Sequence, residues 1–303
     1  MASVAIAQDI NDISRAIAQV LEHLDLGSLV RGRRVAVKPN ETWASSSDTT
    51  GVTQADTLRA VLRLVRAFDP AHITVTGGAG AAETDEVLRV SGMMQIIDEE
   101  GVEFVDHNRP PFERVYLDYG NDREVSGPQQ SVMVNPRVFE HETLIALNQL
   151  KLHETATVTL GLKNIAMSFP AADYYGHPRS RQKHGHRFFD DMHSFIAAMA
   201  KRFPIDLSIT VGHPAMVATG PLGGHVVETG IAIASTDPVA ADVVGARLLG
   251  FKPQAVRHLW EAGRLGLGQT SIERMDFPCM SVKQAIEEFT LAVYHERLTF
   301  EHE

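Results

Sequence analysis

The chain has 303 residues, 44% of them hydrophobic, a formal charge of −10 at pH 7 and one cysteine, Cys279. That length can bury a substantial core, and the acidic balance argues against a nucleic-acid binder, which needs a basic face. A lone cysteine excludes an internal disulfide framework, a cysteine-ligated iron–sulfur cluster and a four-cysteine zinc site within one chain.

The opening segment, MASVAIAQDINDISRAIAQVLEHLD, lacks the basic start and unbroken apolar run of a secretory signal, and its apolar residues recur as an amphipathic helix. No stretch approaches the roughly 20 apolar residues a membrane span needs. A soluble cytoplasmic protein with no membrane partner is the expectation.

RRVAVKPN reads as a strand ending in a polar loop, and ETWASSSDTTGVT as a loop or lid. QADTLRAVLRLVRAF places Leu58, Val61, Leu62, Leu64 and Val65 at helical intervals. HITVTGGAG is a strand entering a glycine turn, ETDEVLRVSGMMQIIDEEG a helix and VEFVDHN a further strand. Residues 108–140 lose this rhythm and predict hairpins or irregular structure, with room there for a boundary between two lobes. LIALNQLK, ATVTLGLKN, DLSITVG and GIAIAS then read as strands. FFDDMHSFIAAMAKRF, DPVAADVVGARLLG and SVKQAIEEFTLAVYHERL read as helices. Strands alternating with helices predict one α/β domain over 1–303, a largely parallel sheet flanked by helices.

Taken in order, VAVKPN, LNQLKLHETATVTLGLKN, ASTDPVAADVVGARLLGF and the GLG of EAGRLGLG resemble the domain of unknown function 362 family over about residues 33–268. The resemblance implies an α/β domain of bacterial or archaeal type and says little of a reaction. The chain departs from the family pattern twice. Many relatives carry cysteine clusters for iron–sulfur centres, which this chain cannot form. Where a strand usually ends in aspartate, ITVGHPAM has Gly212 and His213.

Four of the fourteen histidines crowd into YYGHPRSRQKHGHRFFDDMH: His177, His184, His186 and His193. A helix reaching back to His186 would put His186, Asp190 and His193 at i, i+4, i+7 on one face, a ligand set suited to non-haem iron or zinc. With His177, His184 and His225 these are the candidate ligands of a divalent transition metal, iron ahead of zinc or nickel. The bland reading makes His193 an ordinary helix residue and Asp190 a cap. Arg179, Arg181 and Lys183 in the same stretch are candidate cations for a substrate carboxylate or phosphate.

In LKLHETATVTLGLKN, Lys151 and His153 alternate on an extended segment and so face one side. Lys163 and Asn164 follow at the end of the next apolar run. Lys38 and Asn40 sit past a strand end, where open α/β sheets bind ligands. Lys151, His153, Lys163 and His213 are the catalytic candidates, with Lys38, Asn40 and Asn164 as substrate contacts. The rival account has the lysines snorkelling from sheet edges and His153 bonded to backbone.

The glycines of VTGGAGAAETDE fail the dinucleotide pattern, since its third glycine falls on Glu83, so no nicotinamide nucleotide is expected. Asp237 and Pro238 read as a helix cap and first turn. The sum is an enzyme acting on a small anionic organic substrate at a histidine-rich, metal-bearing site, its reaction unresolved among oxidative, lyase and isomerase chemistry. A metal-free Lys/His acid–base enzyme and a non-catalytic binder of an anionic metabolite are the alternatives, and homo-oligomerisation is left open.

Overall fold

The computed structural model describes residues 1–120, 130–172 and 191–299. Strands β1 (Ala2–Ser3) and β2 (Ala5–Gln8) precede helix α1 (Ile13–Glu22), so the amphipathic pattern becomes helical only from Ile13. Asp12 sets that start by accepting the Ser14 amide at 3.0 Å. The residues before it pair with Ile231–Ser235 at a sheet edge, a partner that local periodicity cannot reveal.

Helix α2 (Leu26–Val30), β3 (Arg34–Lys38), α3 (Ala55–Arg66) and β4 (His72–Gly77) follow. The pattern after β4 predicts a single helix. The chain instead forms α4 (Thr84–Val90) and α5 (Met93–Glu99), because Gly92 adopts φ 77° and breaks the run. After β5 (Glu103–Asp106), the irregular region contains the antiparallel pair β6 (Glu113–Tyr116) and β7 (Ser131–Val134).

The second half brings β8 (Thr143–His153), β9 (Thr157–Thr159), α6 (Gly161–Ser168) and α7 (Met192–Arg202). It closes with β10 (Leu207–Val217), β11 (His225–Val227), β12 (Ile231–Ser235), α8 (Pro238–Leu248), α9 (Arg257–Arg264), β13 (Met275–Asp276) and α10 (Val282–Tyr294). The main sheet runs β2-β12-β10-β8-β3-β4-β5. Its neighbours from β10 to β5 are all parallel, and β12 is antiparallel to β10 and β2. The fold is therefore α/β, with a large, mostly parallel sheet between two helical layers.

Central β8 is buried on both faces, as a parallel strand covered by helices must be. Leu144, Ala146 and Leu150 join the apolar cluster that holds Phe195 of α7 and Val244 of α8. Ile145 and Leu147, one residue out of phase, join the opposite cluster with Ile17, Leu62 and Ile97. Each fully buried Leu, Ile, Val or Phe side chain among these contributes about 1.5–3 kcal/mol.

One detail of register creates the site. β3 pairs with β8 only as far as Lys38 opposite Ala146. β8 runs on to His153, held by β10 at Lys151–Met216 and by β9, which folds back to set Thr159 opposite Lys151 and Thr157 opposite His153. This overhang walls a cavity beyond the carboxyl ends of the parallel strands, where open α/β sheets place their ligands.

ATVTLGLKN departs from its expected strand. It is extended only through Thr159 and is helical from Gly161. The cause lies in α8: the Asp242 carboxylate accepts the amides of Gly161 at 2.8 Å and Leu162 at 2.9 Å, satisfying two donors at the start of α6. Lys163 and Asn164 thus ride the first turn of a helix rather than the end of a strand. Asp237 caps α8 through the Ala240 amide with Pro238 in the first turn, as its sequence predicts.

Candidate active site

A cavity of about 120 Å³ opens between the end of β3, the glycine turn after β4, the β8 overhang and α6. Lys38, Asn40, Lys151, His153, Lys163 and Asn164 all line it. Four elements separated in sequence converge there. Their polar groups are not equivalent.

Lys38 and the two asparagines hold one another. The Lys38 ammonium donates to the Pro39 carbonyl, to Glu41 and, at 2.9 Å, to Asn164 Oδ1. Asn40 Nδ2 donates to the same oxygen at 2.7 Å, while Asn40 Oδ1 accepts the Gln149 amide at 2.8 Å. Asn164 Nδ2 donates to Asn148 Oδ1 at 2.9 Å and to the Lys38 carbonyl at 3.2 Å. Both amides are committed to protein partners, so they brace the strand ends and the start of α6.

Glu41 is the residue the sequence did not single out. It is 2% exposed, pairs with Lys38, and accepts the Gly78 amide at 2.8 Å and the Ser168 hydroxyl at 2.9 Å. Gly78 gives room for this approach: a Cβ there would stand 3.0 Å from Asn108 Nδ2 and 3.1 Å from the Ser168 carbonyl, a tight fit. The glycine turn thus serves a carboxylate of the protein itself.

Lys151 and Lys163 are different. Lys151 is fully buried and donates to the Gly51 carbonyl, with no carboxylate in ion-pair contact among the described residues. Burial pushes it down to about 8, against the attraction of Glu41 and with the repulsion of Lys38. Among the described residues nothing hydrogen-bonds or ion-pairs with the Lys163 ammonium, and the residue is 6% exposed. Burial pushes Lys163 down to about 7, and the Lys151 charge adds to the shift. Thr159, also lining the cavity, has a buried hydroxyl with no partner among the described residues. Leaving a buried hydroxyl unpaired costs about 1–3 kcal/mol, which a polar ligand would recover.

His153 completes the group. Its Nδ1 accepts the Thr155 and Ala156 amides at 3.1 and 3.2 Å, which places the proton of the neutral ring on Nε2. Beneath the turn, buried His107 donates through Nδ1 to the Ser168 carbonyl at 3.1 Å, and burial pushes it down to about 3. It is a neutral support.

Three further sequence candidates, His193, His213 and His225, do not line this cavity. His213 is clamped between Asp56 at 2.9 Å and Glu228 at 2.8 Å, which hold it protonated up to about 10, and it does not line this cavity. His225 stands exposed on β11. His193 lies in the first turn of α7, which Asp191 caps by accepting the Ser194 amide at 3.1 Å. The helical spacing expected for His186, Asp190 and His193 falls partly outside the described residues, which begin again at Asp191.

His193 instead meets a partner that no sequence motif announces. Its Nδ1 accepts the His258 amide at 3.2 Å and lies 3.2 Å from His258 Nδ1, the two rings stacked. His177, Arg179, Arg181, Lys183, His184, His186 and Asp190 lie outside the described residues. Among the described residues no group of three or more His, Cys, Asp or Glu is placed to hold a metal.

Residues 35–247 match the family model described as Domain of unknown function (DUF362), and the chain belongs to that family. A curated relative, the thylakoid-associated protein sll1697 of Synechocystis sp., is 26% identical over 267 residues, covering 86% of this chain and 77% of the relative. A solved structure, the lactate racemase apoprotein from Thermoanaerobacterium thermosaccharolyticum, aligns with 80% of this chain and 56% of its own, at 14% identity and a TM-score of 0.48. The chain thus spans little more than half the length of that structure. No helix among the described residues is long and apolar enough to cross a membrane.

Proposed function

We propose that this DUF362 protein is an enzyme for a small organic anion, with lysine and histidine side chains as its acid–base groups. One observation carries the reading: two buried lysines without a carboxylate in ion-pair contact among the described residues share a cavity with a neutral histidine whose proton is on Nε2. Burying an ammonium without a counter-charge is costly, and the cost is offset when a carboxylate or phosphate arrives. With Lys38 already matched by Glu41, Lys151 and Lys163 are the charges left for a ligand.

The two lysines suit different tasks. Lys151, at about 8, keeps its proton near neutral pH and holds the anion. Lys163, at about 7, is poised to give or take a proton in that range, with His153 Nε2–H as a second donor. Asn40 and Asn164 position these groups. His213, held protonated by two carboxylates, keeps its proton near neutral pH rather than exchanging it.

A divalent transition metal, iron ahead of zinc or nickel, would draw its ligands from His177, His184, His186, Asp190, His193 and His225. Of these, His193 and His225 are among the described residues, and no step is routed through a metal. The test is calorimetric titration of the full chain with oxalate and with inorganic phosphate, alongside elemental analysis of untagged protein. The expected result is binding of one anion per chain, at least tenfold weaker in Lys163→Gln. Equal affinity in the variant, or no binding by either anion, sinks the proposal. Stoichiometric metal would restore the metal-dependent reading.

A further inference from the structure

We propose that Lys163 is a carbonyl-reactive nucleophile that condenses with a short 2-oxo acid, whose carboxylate is held by Lys151. This rests on the proposed anion site and narrows it to one class of substrate.

Lys163 lines the cavity, is 6% exposed and has no hydrogen bond or ion pair among the described residues. A lysine kept for structure is paired, as Lys38 is with Glu41, Asn164 and a carbonyl. A lysine kept for anion binding needs only its charge, and Lys151 already supplies one beside a carbonyl anchor. An unpaired lysine, desolvated and near a second cation, is the setting in which an amine loses its proton and turns nucleophilic. Burial and the Lys151 charge act on Lys163 in that direction.

The small cavity limits the partner. One cation for a carboxylate and one amine beside it match a carboxylate directly attached to a carbonyl. The neutral Lys163 amine attacks the carbonyl carbon, the C=O π pair moves to oxygen, and the proton shed by the nitrogen passes to that oxygen, giving a carbinolamine. A proton donor then protonates the hydroxyl, the C–O bond breaks with loss of water as the nitrogen lone pair forms the C=N bond, and the remaining N–H proton returns to that donor. The sum is amine plus ketone giving imine plus water, with no oxidation or reduction. The lining offers two proton sources for the departing hydroxide, the Lys151 ammonium and His153 Nε2–H.

The experiment is reductive trapping. Full-length protein is incubated near neutral pH with glyoxylate or pyruvate and sodium cyanoborohydride, whose hydride converts an imine into a stable secondary amine. Intact mass and peptide mapping then locate the label. The expected result is one carboxyalkyl group per chain on Lys163, absent in Lys163→Arg and slowed by excess oxalate. Label spread over exposed Lys201, Lys252 and Lys283, with Lys163 untouched, overturns the inference. Oxalate binding by calorimetry without label on Lys163 overturns it while leaving the anion site standing. Failure of both removes the two together. Should Lys163→Arg not fold, the wild-type peptide map decides alone.

Discussion

Lys163 and His213 hold their protons in reversed order. A free lysine is more basic than a free histidine by about four pH units, yet here the lysine sits at about 7 and the histidine at about 10. Lys163 is buried with no carboxylate against it among the described residues, so desolvation governs. His213 is half-buried between Asp56 and Glu228, so the carboxylates govern. Counter-charge and water, rather than residue type, decide which basic group can exchange a proton near neutrality. A sequence reading that counts both among catalytic candidates cannot separate them.

The sharpest way to break this contrast is Lys151→Met. It removes the anion-holding charge and also lifts its repulsion from Lys163. Oxalate affinity should fall roughly 10–100-fold, as expected for a lost charge-assisted bond of about 1.5–3 kcal/mol. The variant should keep a wild-type urea midpoint, because methionine fits a buried position without an ammonium to desolvate. Unchanged oxalate affinity would show that the cavity does not use this charge.

A smaller effect comes from pH alone. Both cavity lysines have folded pKa values below the ordinary lysine value, so their charges are lost early. Oxalate affinity should decline as pH rises through about 7 to 8 and flatten before ordinary lysines titrate. The same shifts mean the folded state binds fewer protons than the unfolded one above about pH 7, so this contribution to stability rises with pH towards the unfolded lysine value. Affinity that stays flat to pH 10 would put both ammonium groups in contact with charge or water that the cavity lacks.

The smallest expected effect is that of His213→Gln. Its folded pKa is raised, so the contribution is fully present below the unfolded histidine value of about 6.5 and is lost as pH rises through about 10. Since Asp56 is 62% exposed, solvent screening holds the loss to about 1 kcal/mol at neutral pH. Urea unfolding of wild type and variant should show a gap that narrows towards pH 10, with oxalate affinity unchanged. A gap independent of pH would mean packing, rather than charge, holds that ring.

Much of the site was legible because strand physics is local. Alternation put Lys151 and His153 on one side, and a polar pair after an apolar strand put Lys38 and Asn40 at a sheet end. What failed was supplied from afar. Glu41 hides in a polar loop and gains meaning only through Gly78, Ser168 and Lys38. α6 reads as strand until Asp242, from another helix, takes its first amides. The neighbour of His193 is equally hidden, since only the packing of α9 brings His258 against it. The sheet itself was plain from the βα alternation, apart from its β2 edge, which needs β12 to form.

The overhang of β8 also bears on which lengths of chain can change. Lys151 and His153 share a wall only while the pleat stays in phase from Leu147 onward. A single inserted residue between those points would hand both side chains to the opposite helical layer, and a deletion would do the same. Indels there should therefore disable the cavity even where the fold survives. The turn around Asp69, at the far end of the sheet, sets no such phase and should accept them.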